Sequence, residues 1–143
     1  MRRIFTKPES ERREAKDAFP RSVHLMIEPA TAGSEHLAMG TEEVHPGSQI
    51  PVHVHPDAEE ILFVYQGRGR ARVGDEEVEV GPETAIFVPK GTPHGLINTS
   101  DEHVHLTWTF SPPGEHEKFR NAEMWKHAAR SARSPNARDD ADG

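Results

Sequence analysis

Apolar residues in this chain come in short pieces rather than long runs. Across residues 22–111 they are mainly valine, isoleucine, phenylalanine and threonine, and glycine or proline interrupts them every several positions. That texture predicts an all-β sandwich or barrel. Strands are expected at 23–27, 36–44, 52–55, 61–65, 69–73, 77–80, 85–88, 94–98 and 103–110, about nine in all. Gly74-Asp75 suits the tight turn of a hairpin. The uninterrupted run Ile61-Leu62-Phe63-Val64-Tyr65 is typical of a strand buried on both faces. Nothing resembles the strand–helix alternation of a parallel sheet.

The flanks differ. Residues 1–21 are charged and too poor in apolar positions for a core element, which predicts an exposed arm or short solvated helix. Residues 115–130 carry Phe119, Ala122, Trp125 and Ala129 at spacings of three to four, the pattern of a helix. Residues 131–143 lack the apolar content to fold, so a disordered tail is expected.

Composition narrows the function. The 143 residues are 34% hydrophobic and 29% charged, with a net charge of −7, so no basic face is present to neutralise nucleic acid. No apolar run reaches bilayer length, and the N-terminus has no apolar stretch behind its arginines, so a cytoplasmic protein is expected. Cysteine is absent, which excludes disulfides, thiol nucleophiles and thiolate metal sites. Histidine appears ten times; a metal here must be held by imidazole and carboxylate.

His53-Val54-His55 is the main candidate. On a strand the two rings share a face, with Cα atoms about 6.6 Å apart, and both can reach one ion. Val52 and Val54 then belong to the opposite, packing face. The acids Glu59 and Glu60 follow, and alternation turns one of them inward. His94 follows the rigid turn Pro89-Lys90-Gly91-Thr92-Pro93, which suits a ligand that tolerates little positional error.

At these residues the sequence resembles the cupins, small double-stranded β-helix (jelly-roll) barrels. Gly47, His53, His55, Glu60 and Gly67 satisfy every spacing of the first cupin motif, and Pro89, Gly91, His94 and Asn98 match the second. The second motif's leading glycine is Glu83 here. The resemblance covers about residues 35–112 and implies a metal held by His53, His55, Glu60 and His94. Fe(II) is favoured, with Mn, Ni, Co or Zn suitable for the same donors. Three neutral imidazoles and one carboxylate leave a divalent centre at +1 with open positions. The implied activity is a dioxygenase-type oxidoreductase acting on a small organic substrate. The alternatives are a non-redox isomerase, cyclase, lyase or decarboxylase, and a non-catalytic binding barrel. The second class needs a proton-transfer group, for which His105, His45 and Tyr65 are the candidates. His103 and His105 share a polar strand face with Thr107 and Thr109, expected to look outward. Small cupins often pair through N-terminal strands, so a homodimer through residues 23–27 is expected.

Overall fold

The computed structural model describes residues 2–130. The predicted tail at 131–143 lies outside the described residues. The strands are β1 (Glu11–Ala15), β2 (Arg21–Ile27), β3 (Ala38–Val44), β4 (Gln49–His53), β5 (Glu59–Gln66), β6 (Gly69–Val73), β7 (Glu76–Val80), β8 (Thr84–Val88), β9 (His94–Ile97), β10 (Val104–Ser111) and β11 (Trp125–Ala128). A single helical turn, α1 (Pro29–Ala32), follows β2, and a 3₁₀ helix spans Glu115–Arg120. No helix among the described residues is long and apolar enough to cross a membrane.

Two antiparallel sheets face each other, as the alternating pattern predicts. One has the order β11-β1-β2-β3-β10-β5-β8 and the other β4-β9-β6-β7. From β3 to β10 the chain crosses between sheets at every step except the β6–β7 hairpin. Alternation builds the core between them. In β10, Val104, Leu106, Trp108 and Phe110 point inward, while His105, Thr107 and Thr109 line the outer face. Trp108 fits because Gly40 on β3 offers no side chain: a Cβ there would lie 2.5 Å from the indole. The indole N–H then donates to the Thr41 carbonyl at 3.0 Å.

Several expectations need correction. The charged arm contains a paired strand: β1 lies between β2 and β11. Its charges neutralise one another along the strand, Arg12 with Glu14 at 2.8 Å and Arg13 with Glu11 at 2.7 Å, so its backbone can join a sheet without an apolar face. Val23, His24 and Leu25 of the expected pairing segment are flanked within the chain by both β1 and β3, whereas Ile27 is registered with β3 alone. The run in β5 is buried on one face only, since Ile61, Phe63 and Tyr65 are exposed. Only the turn at Glu115–Arg120 of the expected 115–130 helix is helical. Beyond it the backbone extends into β11, which supplies the hydrogen-bonding partner β1 would otherwise lack. Phe119 and Trp125 still pack together, edge to face at 5.0 Å, against Trp108.

Candidate metal centre and cavity

The four motif residues come from both sheets and meet between them. His53 ends β4 and His94 opens β9, and the two are cross-strand partners. His55 lies just past β4, and Glu60 stands in β5 of the opposite sheet. Alternation in β5 settles the choice of acid: Glu59 is exposed and Glu60 buried. Val52 and Val54 are exposed rather than packed, because β4 ends in an irregular register between Ile50 and His53.

Each imidazole is held by its far nitrogen. His53 Nδ1–H donates to the Pro51 carbonyl at 2.7 Å, and His94 Nδ1–H to the Thr92 carbonyl at 2.9 Å. His55 Nδ1 faces the Glu115 carboxylate at 3.4 Å. These bonds fix the tautomer that leaves Nε2 as a lone pair, the arrangement a metal-binding histidine requires. The three Nε2 atoms converge with Glu60. His53 and His55 Nε2 are 3.1 Å apart, His94 Nε2 is 3.0 Å from Glu60 Oε1, and His55 Nε2 is 3.4 Å from the same oxygen. Two donors each about 2.1 Å from one ion lie about 3.0 Å apart at a right angle and about 3.4 Å apart at a tetrahedral angle. Three lone pairs and a carboxylate at this spacing repel unless a cation sits among them, so the residues fit a divalent metal.

The electrostatics agree. In the metal-free site burial would raise the Glu60 pKa, but the His55 and His94 rings, which carry an Nε2 proton only while no cation is bound, and the Lys118 charge overcome it and bring it down to about 2. Burial and the nearby Lys118 charge lower His53 to about 3. Both groups are therefore in the metal-binding protonation state at neutral pH. The other cluster of this kind among the described residues, Glu28, His116 and Glu117, already has its cation. Arg120 reaches Glu28 at 2.9 Å and Glu117 at 3.0 Å.

The quartet faces a cavity of about 380 Å³. Leu62, Ile50, Pro51, Val52, Phe119 and Trp125 give it apolar walls, and Glu42, Arg21, Asp17, Lys118 and Glu115 add charge. Glu42 is buried on the inward face of β3, in alternation with Ala38, Gly40 and Val44. Burial pushes its carboxyl up to about 7, further raised by Glu60 and Asp17 and restrained by Arg21 and Lys118. Arg21 Nε lies 3.5 Å from Glu42, and the same guanidinium pairs with Asp17 at 2.8 Å.

The three sequence candidates for proton transfer do not line this cavity. His105 and Tyr65 are on the outer sheet face, their rings 5.8 Å apart, and His105 Nδ1 lies 3.6 Å from Glu43. His45 packs against His103, the ring centres 4.7 Å apart and the planes tilted by 58°. His103 is exposed and His105 lies on the outer face of β10, and the structure brings none of His105, His45 and Tyr65 to the quartet. Glu42 was findable as an acid at an inward position of an alternating strand, whereas no sequence signal marked Lys118.

Comparison with known proteins agrees with this geometry. Residues 40–110 match the cupin domain family. The chain belongs to the cupins. Among curated relatives, the tetracenomycin polyketide synthase protein TcmJ of Streptomyces glaucescens is 28% identical over 91 residues, 64% of this chain and 61% of that protein. This cupin spans less than two thirds of the length of such relatives, 61%, 65% and 58% for three of them. Among solved structures, the polyketide cyclase RemF of Streptomyces resistomycificus aligns with a TM-score of 0.65 and 24% identity over 80% of this chain and 82% of that one. A predicted oxalate decarboxylase of Thermotoga maritima aligns with a TM-score of 0.68 and 15% identity, covering 77% and 99%. These two likenesses show the shared cupin fold.

Proposed function

We propose that this cupin is a metal-dependent, non-oxidative enzyme that cyclises or isomerises a polarised carbonyl compound, with β-polyketone chains as the substrate class. The observation that carries this reading is the placement of a buried carboxyl, Glu42, in the cavity the quartet faces. Carbonyl cyclisation needs a cation to polarise oxygen and a group that exchanges protons near neutral pH, and both are provided for here. The names of TcmJ and RemF support the substrate class. His53, His55, Glu60 and His94 would hold the ion, which when bound supplies Lewis acidity toward a carbonyl oxygen.

In this scheme Glu42 as carboxylate takes a proton from the carbon between two carbonyls. That carbon bonds to another carbonyl carbon of the same chain, and the oxygen there receives the proton back from Glu42. No electrons leave the substrate, so no oxidant is needed. Leu62, Phe119 and Trp125 exclude water and press the chain into a folded shape.

Two measurements test the proposal. Metal analysis of protein purified without chelators should find about one divalent ion per chain, lost in His53→Ala. A linear β-polyketone thioester should then cyclise under anaerobic conditions with zinc- or nickel-loaded protein, read as the absorbance of the aromatic product that forms when the cyclic adduct loses one water and enolises. Turnover only with the ferrous form, with matching oxygen consumption, would replace this reading with the dioxygenase expected from the ligand set.

A further inference from the structure

Building on the proposed metal-dependent reaction, we infer that Lys118 forms an oxyanion subsite beside the quartet, so that the cavity takes substrates carrying an anionic oxygen, such as an enolate, phenolate or carboxylate.

Lys118 is held in place by its neighbours. Within its 3₁₀ helix, Arg120 bonds Glu28 at 2.9 Å and Glu11 at 2.8 Å, and His116 Nε2 lies 3.0 Å from Glu28. Phe119 wedges between Trp108 and Trp125. The anchored backbone sends the Lys118 side chain into the cavity, with Nζ 5.1 Å from the centre of the Phe119 ring and 5.8 Å from that of Phe110.

The ammonium lacks an acid. The other cavity cation, Arg21, has Asp17 and Glu42. Among the described residues no carboxylate oxygen lies within 4.0 Å of Lys118 Nζ; Glu60, Glu42 and Glu115 act on it from farther away. Its polar neighbour is His55 Nε2, at 3.4 Å. That nitrogen belongs to the metal-binding set. Once its lone pair is committed to a cation it accepts nothing from Lys118, whose N–H groups become free to turn toward the cavity.

Charge then selects the ligand. The quartet with a divalent ion carries +1, and Lys118 adds a positive charge that burial disfavours and that Glu60, Glu42 and Glu115 support only from beyond 4.0 Å. Until an anionic oxygen binds or forms there, the buried ammonium beside the cation has only two aromatic faces and those more distant carboxylates as its compensation. An anionic oxygen next to Nζ satisfies both charges with a charge-assisted hydrogen bond.

The test uses the full chain loaded with cobalt(II) and acetohydroxamate as a small anionic oxygen probe, with binding followed by the cobalt visible absorption. Imidazole serves as a neutral probe of the same centre. Lys118→Met should weaken acetohydroxamate about tenfold or more, leave imidazole within about twofold, and keep the wild-type metal content. Lys118→Arg should restore most of the anion affinity, which a merely structural role would not predict. Equal acetohydroxamate affinity in wild type and Lys118→Met overturns the subsite while leaving the metal centre and the cyclase proposal standing. A Lys118→Met protein that loses its metal also overturns it, because the lysine would then be acting on the quartet.

Discussion

Replacing Glu42 by glutamine isolates the group on which the proposed proton transfer depends. In the metal-free protein its carboxyl is raised by burial from 4.5 to about 7, with Glu60 and Asp17 adding to the rise and Arg21 and Lys118 opposing it. The unfolded chain releases this proton near pH 4.5, and the folded chain keeps it until about 7. Between those values the folded state binds more protons than the unfolded one, so the contribution of Glu42 to stability falls as pH rises through the window and is flat above it. A displacement of about 2.5 pH units corresponds to about 3 kcal/mol. Glutamine keeps an oxygen that can accept from Arg21 and does not titrate. The stability of Glu42→Gln relative to wild type should therefore rise by about 3 kcal/mol from pH 4.5 to pH 8. Urea unfolding of chelator-treated protein reads this as a change of about 2 M in the difference between midpoints, for a slope of about 1.5 kcal/mol per M. Taking the difference between the two proteins removes the contributions of the other titrating groups. Infrared spectra should show a protonated carboxyl band in wild type that disappears near pH 7 and is missing from the variant. A difference that stays flat within about 1 kcal/mol across the range would mean that Glu42 is ionised throughout, and its role as a neutral-pH proton carrier would be lost.

Two stability predictions follow from single residues. Glu83 stands at φ 66° in an exposed turn where the second cupin motif has glycine. Relief of left-handed strain, less the greater freedom glycine gives the unfolded chain, should make Glu83→Gly more stable by about 0.5–1 kcal/mol in thermal unfolding; a loss of stability would refute the strain. Asn98 is fully buried; its amide N–H groups donate to the carbonyls of Val44, His45 and Glu102 at 3.0, 3.1 and 2.7 Å, and its oxygen accepts from Ser100. Asn98→Ala should cost about 3 kcal/mol in urea unfolding, since three carbonyls lose their donor, and a cost below about 1 kcal/mol would show that water replaces the amide.

What could be read from the sequence divides along physical lines. The strands of the two facing sheets were legible because one face of each is dry and the other wet, and alternation records that difference directly. The quartet was legible for a related reason: a metal site needs particular donors at fixed separations along short rigid segments, so His53, His55, Glu60 and His94 left spacing in the chain. β1 was hidden because it is stabilised by ion pairs along its own length and by the hydrogen bonds of β2 and β11, and neither leaves a periodic apolar mark. The 115–130 helix failed because Phe119 and Trp125 serve one cluster from two different backbone geometries, and their spacing of six fits a turn followed by a strand as well as it fits a helix. Cavity chemistry was least legible. His105, His45 and Tyr65 are proton-transfer groups by residue type, yet the one-residue alternation of β5 and β10 sends Tyr65 and His105 to the outer surface. Glu42 and Lys118 reach the cavity through distant elements, one by inward alternation on β3 and the other from a helix pinned by Arg120. A ligand set that binds many metals is thus the part of a cupin its motifs announce, whereas the groups able to decide the reaction stand on strands and turns outside those motifs. On the proposed cyclase reading the choice of chemistry falls to Glu42 and Lys118, and substitutions there should change substrate and pH response while leaving metal content as it was.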